Sequence, residues 1–251
     1  MSKVKYNLLN GDYREMEGES FSSLKHFLSG PKKYFQEKET PFRGNRYTKR
    51  GTAIHHYLQN SPHLVAVHEE ALDGPFNVAE LKWYQDTNGE GVTIAEEDLE
   101  ICKAIEANSR ENSKILELRD RGEFEVSYFK EYDGVPLKGK VDVVSDIWLG
   151  DFKSSSQSIL KASFKTVVTT LDYDMQMYMY LFLSGNLDKF YEGKFDPYVI
   201  PCHTKPPYPV AIYKFSRETI ESGRTKFEKC IESYKKYVQN GVCYLSEVEE
   251  I

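Results

Sequence analysis

Three β-patterned runs follow one another between Glu123 and Lys153, and they confine the chain to folds with an antiparallel meander at the centre. Glu123-Phe-Glu-Val-Ser-Tyr-Phe alternates polar with apolar residues and is rich in aromatic and β-branched types, as half-buried strands are. Asp133-Gly134 supplies the residue types of a two-residue hairpin turn, where both positions need positive φ. From Pro136 to Asp146 the alternation resumes, with Val141 and Val143 expected on one face and Lys138, Lys140 and Asp142 on the other. Ile147 to Lys153 reads as a third strand, mostly apolar, of the kind that runs inside a sheet.

Around the meander the pattern is helical. Ser20 to Leu28 predicts a short helix with serine at its start and Gly30-Pro31 as its stop. A second helix is expected over Tyr47–Gln59, ended by Asn60-Ser61-Pro62. Thr93-Ile-Ala-Glu96 has the form of a capping box and opens a long predicted helix to Leu118, with Leu99, Cys102, Ile105 and Ile115 on its apolar side. A helix from Asp172 to Ser184 closes at Gly185. Strands follow at Tyr198–His203 and Val210–Phe215, and Ser216 caps a last helix to Val238. The order implies an α/β fold, a central mixed sheet flanked by helices with an N-terminal helical section. No long Pro/Gly/Ser linker interrupts it, so one domain over residues 1–251 is expected, with a helical section over 1–62 and a core over 93–240.

Composition narrows the function classes. With 40% hydrophobic and 29% charged residues the chain suits a globular core. No apolar run approaches the roughly 18 residues of a membrane span. The first residues lack the apolar stretch and cleavage site of a secretory signal, so a cytoplasmic location and no membrane partner are expected. Cys102, Cys202, Cys230 and Cys243 form no close pair and read as free, mostly buried thiols. The net charge of −6 hides an asymmetry: Leu24 to Arg50 holds eight Lys/Arg against two Glu, whereas Ala66 to Ser127 holds sixteen Asp/Glu against six Lys/Arg. A basic stretch of this kind can meet phosphates locally, although charge alone describes a solvated helix face equally well.

The chemistry sits on the meander. Asp151 and Lys153 are two apart on a strand and project to one face, and Asp142 on the preceding strand can be brought alongside. Carboxylates clustered with an ammonium on one sheet face suit a divalent ion such as Mg²⁺, with the lysine placed to orient a water. Glu125 is a third carboxylate within reach. His55 and His56 point to different helix faces, so at most one of them enters the site, and Gly51 permits close approach of another backbone. Gln176 and Tyr180 lie one helical turn apart, and Gln176 is polar in an otherwise apolar segment. No phosphate-binding GxxxxGK[ST], GxSxG, HExxH or compact Cys/His motif is present.

These residues together resemble the RecE-like exonucleases, a branch of the PD-(D/E)XK nuclease superfamily that also includes phage lambda exonuclease. Ser20-x-Ser22-x-Leu24 with Pro31 looks like that family's S-x-S-x-L…P segment, and Gly51-Thr-Ala-Ile-His55 like its G-x-x-x-H helix. Glu125 occupies the place of the acidic residue before the core. Lys140-Val-Asp142 matches basic–x–D, Asp151-Phe-Lys153-Ser-Ser matches D-x-K-[ST]-[ST], and Gln176 with Tyr180 matches Q-x-x-x-Y. The match runs from Ser20 to Leu183, and the region after Gly185 matches nothing in detail.

The resemblance implies an ATP-independent 5′-to-3′ exonuclease on linear double-stranded DNA. Its 3′ single strand would pass to a single-strand annealing protein in phage or prophage recombination. It also implies a homo-oligomeric ring of three or four subunits and two Mg²⁺ ions per site, with Mn²⁺ able to substitute. His55, Asp142, Asp151 and the Phe152 carbonyl would hold one ion, and Glu125 with Asp142 a second. Lys153, Gln176, Glu125 and Tyr180 are the expected catalytic set. Ser20, Ser22, Arg43, Arg46 and Arg50 are candidates for holding the DNA backbone or its 5′ phosphate. An end-processing nuclease of a defence system and a non-catalytic DNA-binding module that kept the fold remain as alternatives.

Overall fold

A computed structural model describes residues 3–6, 8–40, 45–67 and 78–243. In chain order its elements are β1 (Lys3–Lys5), α1 (Asn10–Glu15), α2 (Phe21–Leu24), α3 (Pro31–Glu39), α4 (Arg46–Leu58), β2 (Val65–Val67), α5 (Val78–Asp86), β3 (Val92–Ile94), α6 (Glu96–Arg110) and α7 (Ser113–Arg121). They continue with β4 (Glu123–Tyr132), β5 (Val135–Val144), β6 (Trp148–Ser155), α8 (Lys161–Thr170), α9 (Tyr173–Ser184), α10 (Leu187–Tyr191), β7 (Asp196–His203), β8 (Tyr213–Lys214) and α11 (Arg217–Tyr234). Six strands form one sheet in the order β1-β4-β5-β6-β7-β8, and β2 and β3 form a small parallel pair apart from it. The expected meander is β4–β5–β6, all antiparallel, and Asp133 and Gly134 turn its first hairpin with φ of 50° and 78°. β7 joins β6 in parallel after the α8–α10 crossover, which makes the sheet mixed.

Two apolar layers cover the sheet. One packs α8, α9 and α11, with α2 and α3, against Val126, Leu137, Val141 and Leu149. The other packs α4, β3, α6 and α7 against Val143, Trp148, Phe152 and Ile200. Met175, Met177, Tyr178, Met179, Leu181 and Leu183 of α9 are all buried, because this helix lies between the sheet and α11 and is apolar all round. Trp148 and Phe152 are almost fully enclosed in the other layer, and burying side chains of this size contributes about 1.5–3 kcal/mol each.

Several expectations are corrected. Thr93 does not cap a helix: it lies inside β3, paired with Ala66, and α6 starts after Ala95 with no side-chain cap. The long helix to Leu118 is two, because Asn112 interrupts it and caps α7 by accepting from the Lys114 and Ile115 amides. Gly30-Pro31 ends one helical segment and starts another at once, since proline is suited to the first helical position. The strand expected over Val210–Phe215 shrinks to Tyr213–Lys214 with one isolated pairing of Val210 to Cys202. Val141 and Val143 do not share a core; they pack in opposite layers. On the neighbouring strand Val126 and Phe124 divide in the same way. Between Phe124 and Val126 stands Glu125 at φ 52°, a left-handed backbone in mid-strand, and this local turn lets the alternation change face without changing register.

Candidate active site

The site is built where the sheet forks. β5 pairs with β6 only at Val143–Gly150 and Val144–Leu149, so the next step of that register sets Asp142 opposite Asp151. There the strands part. The rest of β5 runs beside β4 and the rest of β6 beside β7. The amide of Phe152 spans the opening, donating to Asp142 Oδ2 at 2.7 Å. On the other side of β5, the β4 register places Glu125 opposite Asp142. Sheet pairing alone therefore lines up three carboxylates: Glu125, Asp142 and Asp151.

The fourth group comes from α4. Gly51 lets this helix approach β6: a Cβ there would stand 3.1 Å from Ser154 Oγ. One turn later His55 Nδ1 lies 3.6 Å from Asp142 Oδ2, and its ring meets Phe152 at 5.9 Å and 72°. One ligand atom from each of His55, Glu125 and Asp142 falls within 4.8 Å of the others, a spacing that suits a shared metal ion. The donor set of imidazole and carboxylates is also chemically apt. Asp151 stands beside this trio, its Oδ2 2.6 Å from Lys153 Nζ. His56 points away, its Nε2 2.9 Å from the Glu90 carbonyl oxygen, so only one of the adjacent histidines enters the site.

Electrostatics mark the fork as a place prepared for positive charge. The Asp142 carboxyl is pushed well above the usual range, first by burial and then by repulsion from Asp151 and Glu125. Burial lowers the pKa of His55 despite the nearby carboxylates, leaving a neutral imidazole with a lone pair to offer. Burial also works against the charge on Lys153, but Asp151 and Asp142 outweigh it and raise its pKa, so the ammonium stays charged. Tyr173 lies against that ammonium, its ring centroid 4.8 Å from Nζ.

On α9, Gln176 and Tyr180 form a polar pair that feels the carboxylates of the fork. Gln176 Nε2 donates to Tyr180 OH at 2.8 Å, while Gln176 Oε1 is buried with no partner among the described residues. An orphaned buried acceptor costs about 1–3 kcal/mol unless a water or substrate supplies a proton. Burial, then the charges of Asp151 and Asp142, raise the Tyr180 hydroxyl well above its usual pKa. Gly139 admits this helix to the sheet, since a Cβ there would stand 3.2 Å from the Tyr180 ring.

The remaining candidates fall elsewhere. Ser20 accepts from the Ser23 amide as the cap of α2, and its hydroxyl lies 2.8 Å from that of Ser22. Arg46 and Arg50 both reach the buried carboxylate of Asp98 on α6, at 2.8 and 3.3 Å. Arg43 lies outside the described residues. Gln59 and Lys140 hold Glu125, at 2.7 and 3.5 Å, and the role of Gln59 escaped the reading of the sequence. Its signal was there: it follows His55 by four residues and so shares a helix face with it.

Among known proteins, a family model described as "PDDEXK-like domain of unknown function (DUF3799)" matches residues 20–244. No curated protein matches the chain in sequence. A crystal structure from Eubacterium rectale, described as "Putative exonuclease", has a similar fold with a TM-score of 0.66 at 15% identity, covering 98% of this chain and 96% of that one.

Proposed function

Because the chain belongs to this PDDEXK-like family, we propose that it is a metal-dependent DNA nuclease, an exonuclease acting on linear double-stranded DNA with 5′-to-3′ polarity and without ATP. The observation that carries the reading is the fork itself: His55, Glu125 and Asp142 converge while Asp151 holds Lys153 beside them. Repelling carboxylates are stabilised when a cation sits among them, and none of the described protein cations fills that place except at the edges. Mg²⁺, or Mn²⁺ in its stead, fits these donors, with His55, Asp142, Asp151 and the Phe152 carbonyl around one ion and Glu125 with Asp142 toward a second. A bound ion would supply Lewis acidity and a more acidic water.

The protein's own groups do the rest. Lys153 is held charged by Asp151, placed to orient the attacking water and to offset charge on the phosphate. Gln176, whose donor is taken by Tyr180, keeps its acceptor free for that water. Arg43, Ser20 and Ser22 remain candidates for the DNA backbone, and Arg46 and Arg50 would have to exchange Asp98 for phosphate. By resemblance to RecE-like enzymes the 3′ strand would go to a single-strand annealing protein of a phage or prophage system, and the enzyme would work as a ring of three or four subunits.

Digestion of the same plasmid in linear and closed circular form tests the reading. Loss of the linear form alone is expected. Equal digestion of the closed circle would replace the exonuclease by an endonuclease of the same fold.

A further inference from the structure

Three cations of the basic stretch between Leu24 and Arg50 are engaged in ion pairs. Lys38 pairs with Glu19 at 3.1 Å, and Arg46 and Arg50 share Asp98. Lys25 is different. It is half-buried on the turn that follows α2, and it makes no ion pair among the described residues. Its ammonium lies 5.3 Å from the ring centroid of Phe21, which holds the stem in place.

The surroundings of Lys25 belong to the active site. α2 packs against α9, whose first residue, Tyr173, carries the ring that rests on Lys153. Burial lowers the Lys25 pKa most; attraction from Asp172 and, to a smaller extent, Glu37 opposes this, and repulsion from Lys153 and Lys33 adds to it. Asp172 is itself satisfied by Lys226 at 2.7 Å. Lys33 is exposed and likewise unpaired among the described residues. Lys25 thus feels both Lys33 and Lys153, and of the three only Lys153 is in contact with a carboxylate among the described residues. A half-buried ammonium with no carboxylate in contact is relieved by an anion that reaches it.

We propose that Lys25 binds a phosphate of the DNA strand next to the one being cleaved, with Lys33 reinforcing it, so that the strand enters the fork along the α2–α9 face. This rests on the nuclease reading and adds a strand-holding residue to it. The contact is to the phosphodiester backbone and carries no base preference. Lys25 acts by positioning, since it stands on the turn after α2 and is none of the groups at the fork.

The test is binding of a labelled linear duplex, with Ca²⁺ in place of Mg²⁺, over a range of salt concentrations. Lys25→Gln should weaken binding by about tenfold at 0.1 M salt and lower the slope of log K against log salt by about one. Lys25→Arg should restore both. Lys32→Gln, an exposed neighbour without an ion pair among the described residues, should leave both nearly unchanged. With Mg²⁺ the loss should appear in KM, with kcat at saturating DNA held within about threefold. Lys25→Met, which keeps the stem over Phe21 and removes only the charge, serves as the second variant and should match Lys25→Gln. If wild type binds and cleaves DNA but Lys25→Gln and Lys25→Met keep its affinity and salt slope, the inference is overturned and the nuclease reading stands. If wild type neither binds nor cleaves DNA, the nuclease reading falls and takes Lys25 with it.

Discussion

Asp142 carries the most strain of any residue at the fork. It is buried, faces Asp151 and Glu125, and is only partly steadied by Lys153 and the Phe152 amide. Its raised pKa fixes the sign of its effect on stability. The cost is absent below the ordinary carboxyl range, grows as pH rises from that range toward the raised value, and is full above it. Asp142→Asn keeps an acceptor for the Phe152 amide and removes the repulsion. In EDTA this variant should melt above wild type at neutral pH, with the gap closing as pH falls toward 4. An equal or lower melting temperature at neutral pH would show that the carboxylates do not strain one another. Glu125 tells a related story, since a non-glycine residue at φ 52° in a strand costs about 1–3 kcal/mol and such residues cluster at functional sites. The carboxylates and the cost of clustering them were legible in the sequence; the left-handed backbone at Glu125 was not.

At the scale of elements, the meander was legible because alternation and Asp133-Gly134 are local signals, and β4, β5 and β6 form as expected. His55, Asp142, Asp151, Lys153, Gln176 and Tyr180 come together for the same reason, since spacing on a strand or helix decides which side chains share a face. What failed were elements decided by distant partners. α8 was missed because Phe164, Val167 and Val168 give only one turn of apolar spacing, and the sheet layer completes it. The pairing of Arg46 and Arg50 with Asp98 spans about fifty residues of chain and leaves no local trace. The seat of α9 is another long-range fact. Gly223 of α11 lies against it so closely that a Cβ would stand 2.1 Å from the Asp174 carbonyl oxygen. Gly223→Ala must therefore push the helices apart, at a cost of about 1–3 kcal/mol in urea unfolding. Because α9 carries Gln176, activity per folded molecule should fall as well. An alanine variant as stable and active as wild type would mean that α9 does not need this contact.

For the whole molecule, the sheet is the frame and its two helical layers have separate tasks. The layer with α4 delivers His55, and the layer with α9 delivers Gln176 and Tyr180, so the site closes only when both pack on the fork. Among the described residues no helix is long and apolar enough to cross a membrane. A net charge of −6 is awkward for a monomer that must hold polyanionic DNA, whereas a ring can turn its basic stretch inward. Light scattering should give three or four times the 29.1 kDa chain mass, and a monomer that still digests long duplexes processively would remove the ring. Chemistry at the fork is tested by one assay: release of nucleotides from end-labelled linear duplex by wild type, Asp142→Asn and Asp151→Asn, with Mg²⁺ and with EDTA. Wild type should release nucleotides in Mg²⁺ alone, and neither folded variant should release any above background. Release that persists in EDTA, or in a folded Asp142→Asn or Asp151→Asn protein, would contradict chemistry at the fork.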